Sequence, residues 1–235
     1  IVWKKVNWVL DADIRGFFDH LDHERLMELI ERRVADPRVL RLIQQWLKAG
    51  VSEEGQWSET EVGTPQGAVI SPLLANIYLH YVLDLWVMEW RRKSAWGDVV
   101  LVRYADDFVL GFQHRDEAER FLGELQERLR AYGLELHPDK TRLIQFGRFA
   151  AENRQRKGLG KPETFDFLGF THICGTIHKT GRFTVRRKTT GKRMAAKLKL
   201  IHAGLRRRMH QSMAEVGEWL GGVVRGYFQY HAIPG

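Results

Sequence analysis

The sequence predicts an α+β fold, an antiparallel sheet that carries acidic residues and packs on helices, followed by a basic helical region. Three observations lead there. Val99-Val100-Leu101-Val102 and Phe108-Val109-Leu110-Gly111 are short runs of strand-forming residues joined through Tyr104-Ala105-Asp106-Asp107, the pattern of a β-hairpin. Trp8-Val9-Leu10-Asp11-Ala12-Asp13-Ile14 reads as another strand, which must end by Gly16. Residues 22–35 and 115–132 repeat apolar residues at helical spacing. Hairpins mixed with packed helices argue for the α+β class.

The elements follow in order. Asp22 caps the helix that opens His23-Glu24-Arg25-Leu26 and turns Leu26, Leu29, Ile30 and Val34 to one side. Asp36-Pro37 starts a second helix, which stops at Gly50 after Lys48. Residues 51–61 are polar and read as a loop or short hairpin. Gly63-Thr64-Pro65-Gln66-Gly67 is a punctuated turn, after which Ser71 is expected to cap a buried helix over 72–90 with Pro72 at its first position. Helix 115–132 points Ala118, Phe121, Leu122, Leu125 and Leu129 inward and ends at Gly133. Strands are expected around 134–136 and 142–146. Residues 150–162, rich in Gly, Lys and Arg, read as a mobile linker. Strands 165–170 and 171–174 follow, with 182–185 pairing back, then helices 190–209 and 212–230. Two domains are expected, 1–175 with the sheet and 176–235 with the basic helices.

Composition narrows the function classes. With 44% hydrophobic residues in 235, the chain can build a sizeable core. No apolar stretch suffices to span a membrane, since residues 70–90 are broken by Asn76, His80, Asp84 and Glu89. No signal peptide opens the sequence, so the cytoplasm is the default compartment. The single cysteine, Cys174, excludes an internal disulfide and a multi-cysteine zinc site. Charge is unevenly spread: residues 167–214 hold twelve Lys and Arg and no Asp or Glu, while the remainder holds 25 basic and 29 acidic residues. A stretch of that kind suits a polyphosphate backbone. Lys179, Arg182, Arg186, Arg187, Lys188, Lys192 and Arg193 are the candidate phosphate contacts, positioning nucleic acid without reading its sequence.

The acids carry the chemistry. Nothing in folding requires Asp106-Asp107 at a hairpin tip, and adjacent like charges are costly unless a positive group neutralises them. Side chains alternate along a strand, so Asp11 and Asp13 share one side. If that strand lies beside the hairpin, Asp13 and Asp106 meet across one surface. Carboxylates converging from two strands are what a two-metal phosphoryl-transfer site needs, with the ions roughly 3.5–4 Å apart.

In chain order, Asp13-Ile14-Arg15-Gly16-Phe17-Phe18-Asp19, the Gly63-Thr64-Pro65-Gln66-Gly67 to Ser71-Pro72-Leu73-Leu74-Ala75-Asn76 run, Arg103-Tyr104-Ala105-Asp106-Asp107, Lys140-Thr141 and Phe165-Asp166-Phe167-Leu168-Gly169-Phe170 resemble a bacterial group II intron-encoded reverse transcriptase, or maturase. Residues 222–231 resemble the opening of that family's maturase-specific region. The resemblance implies a polymerase palm with a basic thumb-like region, and it implies a fingers region ahead of the Asp13 strand. The chain therefore reads as an internal fragment.

The resemblance also implies the site. Asp13, Asp106 and Asp107 would be catalytic metal ligands, with the backbone carbonyl of Ile14 as a further ligand and two Mg²⁺ as cofactors, Mn²⁺ being able to substitute. Arg15, Phe18, Gln66, Gly67 and Tyr104 would line the nucleotide and template. Phe18 falls where an aromatic ring lies under the sugar and leaves no room for a 2′-hydroxyl, whereas Phe17 reads equally as core. Lys140 matches a lysine proposed as general acid toward the triphosphate; an ordinary surface lysine at a turn fits the sequence as well. Leu168 and Gly169 match the segment beside the primer.

Implied partners are an RNA template, a DNA primer, deoxynucleotides and group II intron RNA, with no membrane. Three functions stay open at this point: RNA-templated DNA synthesis, an RNA-binding splicing scaffold whose polymerase activity is secondary or lost, and RNA-templated RNA synthesis. The intact Asp13, Asp106 and Asp107 weigh against a pure scaffold, and Phe18 with Tyr104-Ala105-Asp106-Asp107 weighs against RNA synthesis.

Overall fold

The computed structural model describes residues 5–48, 51–53, 56–58 and 70–231. The chain divides into two compact units, Ile1–Phe149 and Ala150–Gly235.

The first unit is built on a four-stranded antiparallel sheet. Its strands are β1 (Trp8–Ala12), β4 (Val99–Tyr104), β5 (Asp107–Phe112) and β6 (Arg142–Gln145), in the order β4-β5-β1-β6. A separate small hairpin joins β2 (Val51–Glu53) and β3 (Gln56–Ser58). Helices α1 (His23–Glu31), α2 (Pro37–Lys48), α3 (Ser71–Leu79), α4 (Leu85–Lys93) and α5 (Arg115–Ala131) complete the unit. Leu10, Ala12, Phe108, Leu110 and Phe112 alternate along β1 and β5 and join one buried cluster with Leu26, Leu79, Leu83, Phe121 and Leu125 of the helices. The sheet is therefore apolar on the helix side, as period-two alternation requires. Its other side carries Asp11, Val102, Tyr104 and Asp107.

Side-chain capping is seen at the start of the first two helices and is missing at the third. Asp22 caps α1, accepting from Arg25 N at 3.1 Å. Asp36 accepts from Arg38 N at 2.9 Å ahead of Pro37, and the Arg38 guanidinium holds the Asp36 carboxyl below the usual range. Ser71, expected as a cap, is instead the first residue of α3 and is buried; Ile70 occupies the cap position and offers no side-chain bond. The expected helix 72–90 runs on to Lys93 and is interrupted by a π turn at His80–Asp84. Tyr78 donates to Tyr132 O at 2.7 Å, and burial pushes its hydroxyl up to about 12. The link from α4 to β4 is clamped by the buried Glu117, whose Oε1 accepts from Trp96 N at 2.9 Å and Gly97 N at 3.4 Å.

In the second unit α6 (Ala150–Arg156) occupies the first half of the stretch expected as a linker. Arg156 and Glu152 pair one turn apart there, a contact that Gly- and Lys-rich flanks conceal in the sequence. Strands β7 (Phe165–Phe167), β8 (Phe170–Thr176) and β9 (Phe183–Thr189) form an antiparallel sheet, followed by α7 (Gly191–Arg207) and α8 (Met213–His231). The boundary expected after residue 175 falls inside β8, which pairs with β9 along its whole length, so the division lies at Phe149 instead. The expected strand 134–136 is reduced to a single bridge between Ile14 and Leu136.

Candidate active site

The acidic end of the first sheet is assembled by register. β1 and β5 pair Trp8 with Phe112 through to Ala12 with Phe108. Asp13 and Asp107 directly follow and precede the last of these pairs, Ala12 and Phe108, so the register brings the two acids to the same end of the sheet. Tyr104 pairs with Asp107 at the end of β4 and β5, which leaves Ala105 and Asp106 as the two central residues of a tight turn. Ala105 has φ 54, in the left-handed region that a Cβ disfavours, so the turn is held against its own local preference. Asp106 is half-buried and Asp107 exposed.

A third segment reaches the same corner. His137 N donates to Asp13 O at 2.8 Å, and Thr141 N donates to His137 O at 3.0 Å, folding 137–141 into a turn beside Asp13. Lys140 Nζ then bonds Asp13 Oδ2 at 2.8 Å. The hydrogen bond to Asp13, then its charge, then the charge of Asp107 raise the Lys140 pKa above that of an ordinary lysine. Next along the sheet, Arg142 bonds Asp11 Oδ2 at 2.9 Å. The face thus carries a row of carboxylates, each of the two on the β1 segment met by a cation.

Other expected residues fall around this corner. Ile14 is buried, and the bridge to Leu136 ties down its backbone. Arg15 donates its backbone N–H to Glu135 O at 2.8 Å, and its exposed side chain lies 4.0 Å from the Glu135 carboxylate. Phe17 is buried in the core, whereas Phe18 is only partly covered and meets Phe17 edge-on at 5.3 Å. Tyr104 is 68% exposed on the same side as Asp107. Gln66 and Gly67 lie outside the described residues.

The donor set suits a hard divalent cation. Among the described residues no three His, Cys, Asp or Glu side chains close into a cage. Mg²⁺ does not need one: it keeps several waters and takes one or two protein carboxylates together with substrate phosphates. Two strand-end carboxylates open to solvent, one already drawing the Lys140 ammonium, offer what such an ion uses.

The second unit presents its expected residues on a hairpin and a helix start. Leu168 (φ 50) and Gly169 (φ 82) are the two tip residues between β7 and β8. Leu168 O accepts from Tyr230 Oη at 2.9 Å and Gly169 O from Thr190 N at 3.1 Å, so both carbonyls are held within the unit. A Cβ at Gly169 would collide with the Arg193 guanidinium, which lies against the turn. Lys179, Arg182, Arg186, Arg187, Lys188, Lys192 and Arg193 are all exposed, and Arg186 spends one donor on Thr176 O at 2.8 Å.

Residues 3–172 match the family model described as reverse transcriptase (RNA-dependent DNA polymerase). The chain belongs to the reverse transcriptase family. It is similar to group II intron-encoded protein LtrA of Lactococcus lactis subsp. cremoris, 46% identical over 86 residues, covering 37% of this chain and 14% of that protein. It is also similar to protein YkfC of Escherichia coli (strain K12), 33% identical over 166 residues, covering 58% of this chain and 43% of that protein. The chain thus spans less than half the length of either. A structure of apo telomerase from Candida tropicalis, truncated from its C-terminal domain, superposes with a TM-score of 0.57 at 17% identity, over 78% of this chain and 36% of that one. That likeness is one of fold: mixed helices and an antiparallel palm-type sheet.

Reverse transcriptases as a family act on RNA and DNA and depend on divalent metal. One group escaped sequence reasoning. Arg103, quoted only as part of a motif, points to the helix side of β4 and binds Asp84, Asn76 and the turn carbonyl of Ala105. Its signal was the alternation itself: with Tyr104 outward, Arg103 must face the helices, where a buried guanidinium needs partners.

Proposed function

We propose that this chain is the palm and the start of the thumb of a bacterial group II intron reverse transcriptase. It would extend a DNA primer on an RNA template and work in the cytoplasm, with group II intron RNA as a further partner. The observation that supports this reading is the β1–β5 register, which brings Asp13 and Asp107 to one end of the sheet, with Lys140 bonded to Asp13. Similarity to an intron-encoded protein supports the intron assignment.

Two Mg²⁺ ions, replaceable by Mn²⁺, would be held by Asp13, Asp106, Asp107 and the Ile14 carbonyl, and would supply charge stabilisation to an in-line displacement. Phe18 would lie under the incoming sugar and exclude a 2′-hydroxyl. Gln66, Gly67, Arg15 and Tyr104 would border the nucleotide and template. Lys140, hydrogen-bonded to Asp13, would give its proton to the departing pyrophosphate. Leu168 and Gly169 would run beside the primer, and the exposed cations from Lys179 to Arg193 would hold phosphates.

The deciding experiment is primer extension by the full-length protein with Asp13→Asn or Asp106→Asn. Both variants should lose Mg²⁺-dependent extension while keeping fold and RNA affinity. Extension by either at close to the unaltered rate rules the site out.

A further inference from the structure

The turn that carries Asp106 is built at a conformational disadvantage, and something must hold it. Ala105 and Leu168 are the two non-glycine residues with left-handed φ among the described residues. Leu168 is at a hairpin tip tied by Tyr230. Ala105 has Arg103.

The Arg103 guanidinium uses its whole fork. Nε and Nη2 bind the two oxygens of Asp84 at 2.8 and 2.6 Å, and Nη1 bonds both Asn76 Oδ1 and Ala105 O at 2.8 Å. The side chain is 13% exposed, so this is a fixed arrangement and not a surface contact. Ala105 O belongs to the peptide that joins Ala105 to Asp106. Pinning that oxygen fixes the peptide plane and therefore the direction in which Asp106 leaves the backbone.

The helix behind is shaped to receive the guanidinium. Asn76 and Asp84 are eight residues apart, which in a regular α-helix leaves them about 80° out of line. The π turn at His80–Asp84, closed by Leu85 N on His80 O, adds residues to one turn and takes up part of that angle. Both side chains then reach one arginine.

We infer that Arg103, anchored by Asp84 and Asn76, is a positioning residue that holds the Ala105–Asp106 turn in the shape presenting Asp106 and Asp107 to the metal. This rests on the reading of those carboxylates given above. Arg103 touches no reacting atom and acts through the turn.

The test measures Mn²⁺ binding to the full-length protein by electron paramagnetic resonance, without nucleotide, beside extension as a function of Mg²⁺ concentration. Arg103→Gln combined with Asp84→Asn removes both charges, so that neither is left buried alone. This variant should bind Mn²⁺ about 10- to 100-fold more weakly, the usual effect of losing a residue that orients a metal ligand. Adding Ala105→Gly should recover much of that loss, because glycine enters the left-handed region unaided. A purely structural arginine would show no such recovery. Arg103→Lys keeps the charge against Asp84 but cannot span all three partners; it should show the same weakening, and it serves if the double variant fails to fold. Unchanged Mn²⁺ affinity in a folded variant, or no response to Ala105→Gly, overturns the inference. Asp106→Asn run alongside separates the two claims. If it leaves Mn²⁺ binding intact, the site assignment falls and this inference with it; if it abolishes binding while the Arg103 variants do not weaken it, the positioning role alone falls.

Discussion

Lys140 Nζ lies 2.8 Å from Asp13 Oδ2, a bond between residues 127 apart in the sequence. It closes the corner where β1 ends, and it keeps the Lys140 proton firmly in place while Asp13 is ionised. A lysine held there can serve as counter-charge, as proton donor, or as both, and two substitutions separate the roles.

Lys140→Met should lower single-turnover nucleotide incorporation by about 10²- to 10⁴-fold, the range for loss of a general acid. Lys140→Arg preserves a cation beside Asp13, yet arginine does not give up its proton. It should therefore be nearly as slow as the methionine variant. Full activity with arginine would reduce Lys140 to a counter-ion.

Phe18 is partly buried and packs against the core beside a buried Phe17, so part of its ring stays open. Phe18→Val should raise ribonucleotide over deoxynucleotide incorporation, read as the ratio of kcat/KM values, since that ratio measures discrimination in the transition state. Single-nucleotide extension with matched substrates checks it. An unaltered ratio would assign sugar selection elsewhere.

Consecutive cations on β9 face opposite ways, so Arg186 and Lys188 share one side and Arg187 takes the other. Replacing all three with Gln should flatten the plot of log RNA affinity against log salt by up to about 2 units, at roughly 0.7 per single-strand phosphate lost. Arg186→Gln alone should also lower thermal stability, because it gives up the bond to Thr176 O. A slope that does not move places the cluster away from the nucleic acid.

His172 stacks on Phe165 at 4.7 Å and its Nδ1 lies 3.1 Å from Phe170 O. Burial, above all, holds its pKa below the ordinary histidine value, with a smaller push from Arg187. The folded state thus takes up a proton less readily than the unfolded chain. The stability it contributes is complete above about pH 6.5 and is lost as pH falls from there through its own lower value. Thermal unfolding from pH 8 to 5 should show a shallower decline for His172→Phe, which keeps the stack. Equal declines would place the acid sensitivity in other groups.

Much of this was legible in the sequence, for identifiable reasons. Period-two runs at 8–12 and 99–112 revealed the strands, and the acids at their ends revealed the corner, because charge at a strand end has no folding purpose of its own. The register that brings Asp13 and Asp107 to one sheet end could only be guessed at, since β1 pairs with a strand about a hundred residues later. The π turn left no local trace: His80-Tyr81-Val82-Leu83-Asp84 continues the apolar spacing of an ordinary helix. Arg103 and Asp84 are both common surface residues until the sheet is laid on the helix. The helix at 150–156 was hidden by the glycines and lysines that follow it, and the boundary at 149 by strand pairing that crosses 175.

Tyr230 and Leu168 bear on how the chain comes into being. The hairpin around Leu168 is local, but the hydroxyl that holds its tip belongs to a residue synthesised 62 positions later. A ribosome releases the first sheet complete once residue 145 has emerged. The second hairpin must wait, its left-handed tip unsupported, until the last helix arrives. Among the described residues, both turns that place a non-glycine residue in the left-handed region are thereby finished by a side chain from outside the hairpin or from its own flank, and in the second unit the order of birth runs opposite to the order of need.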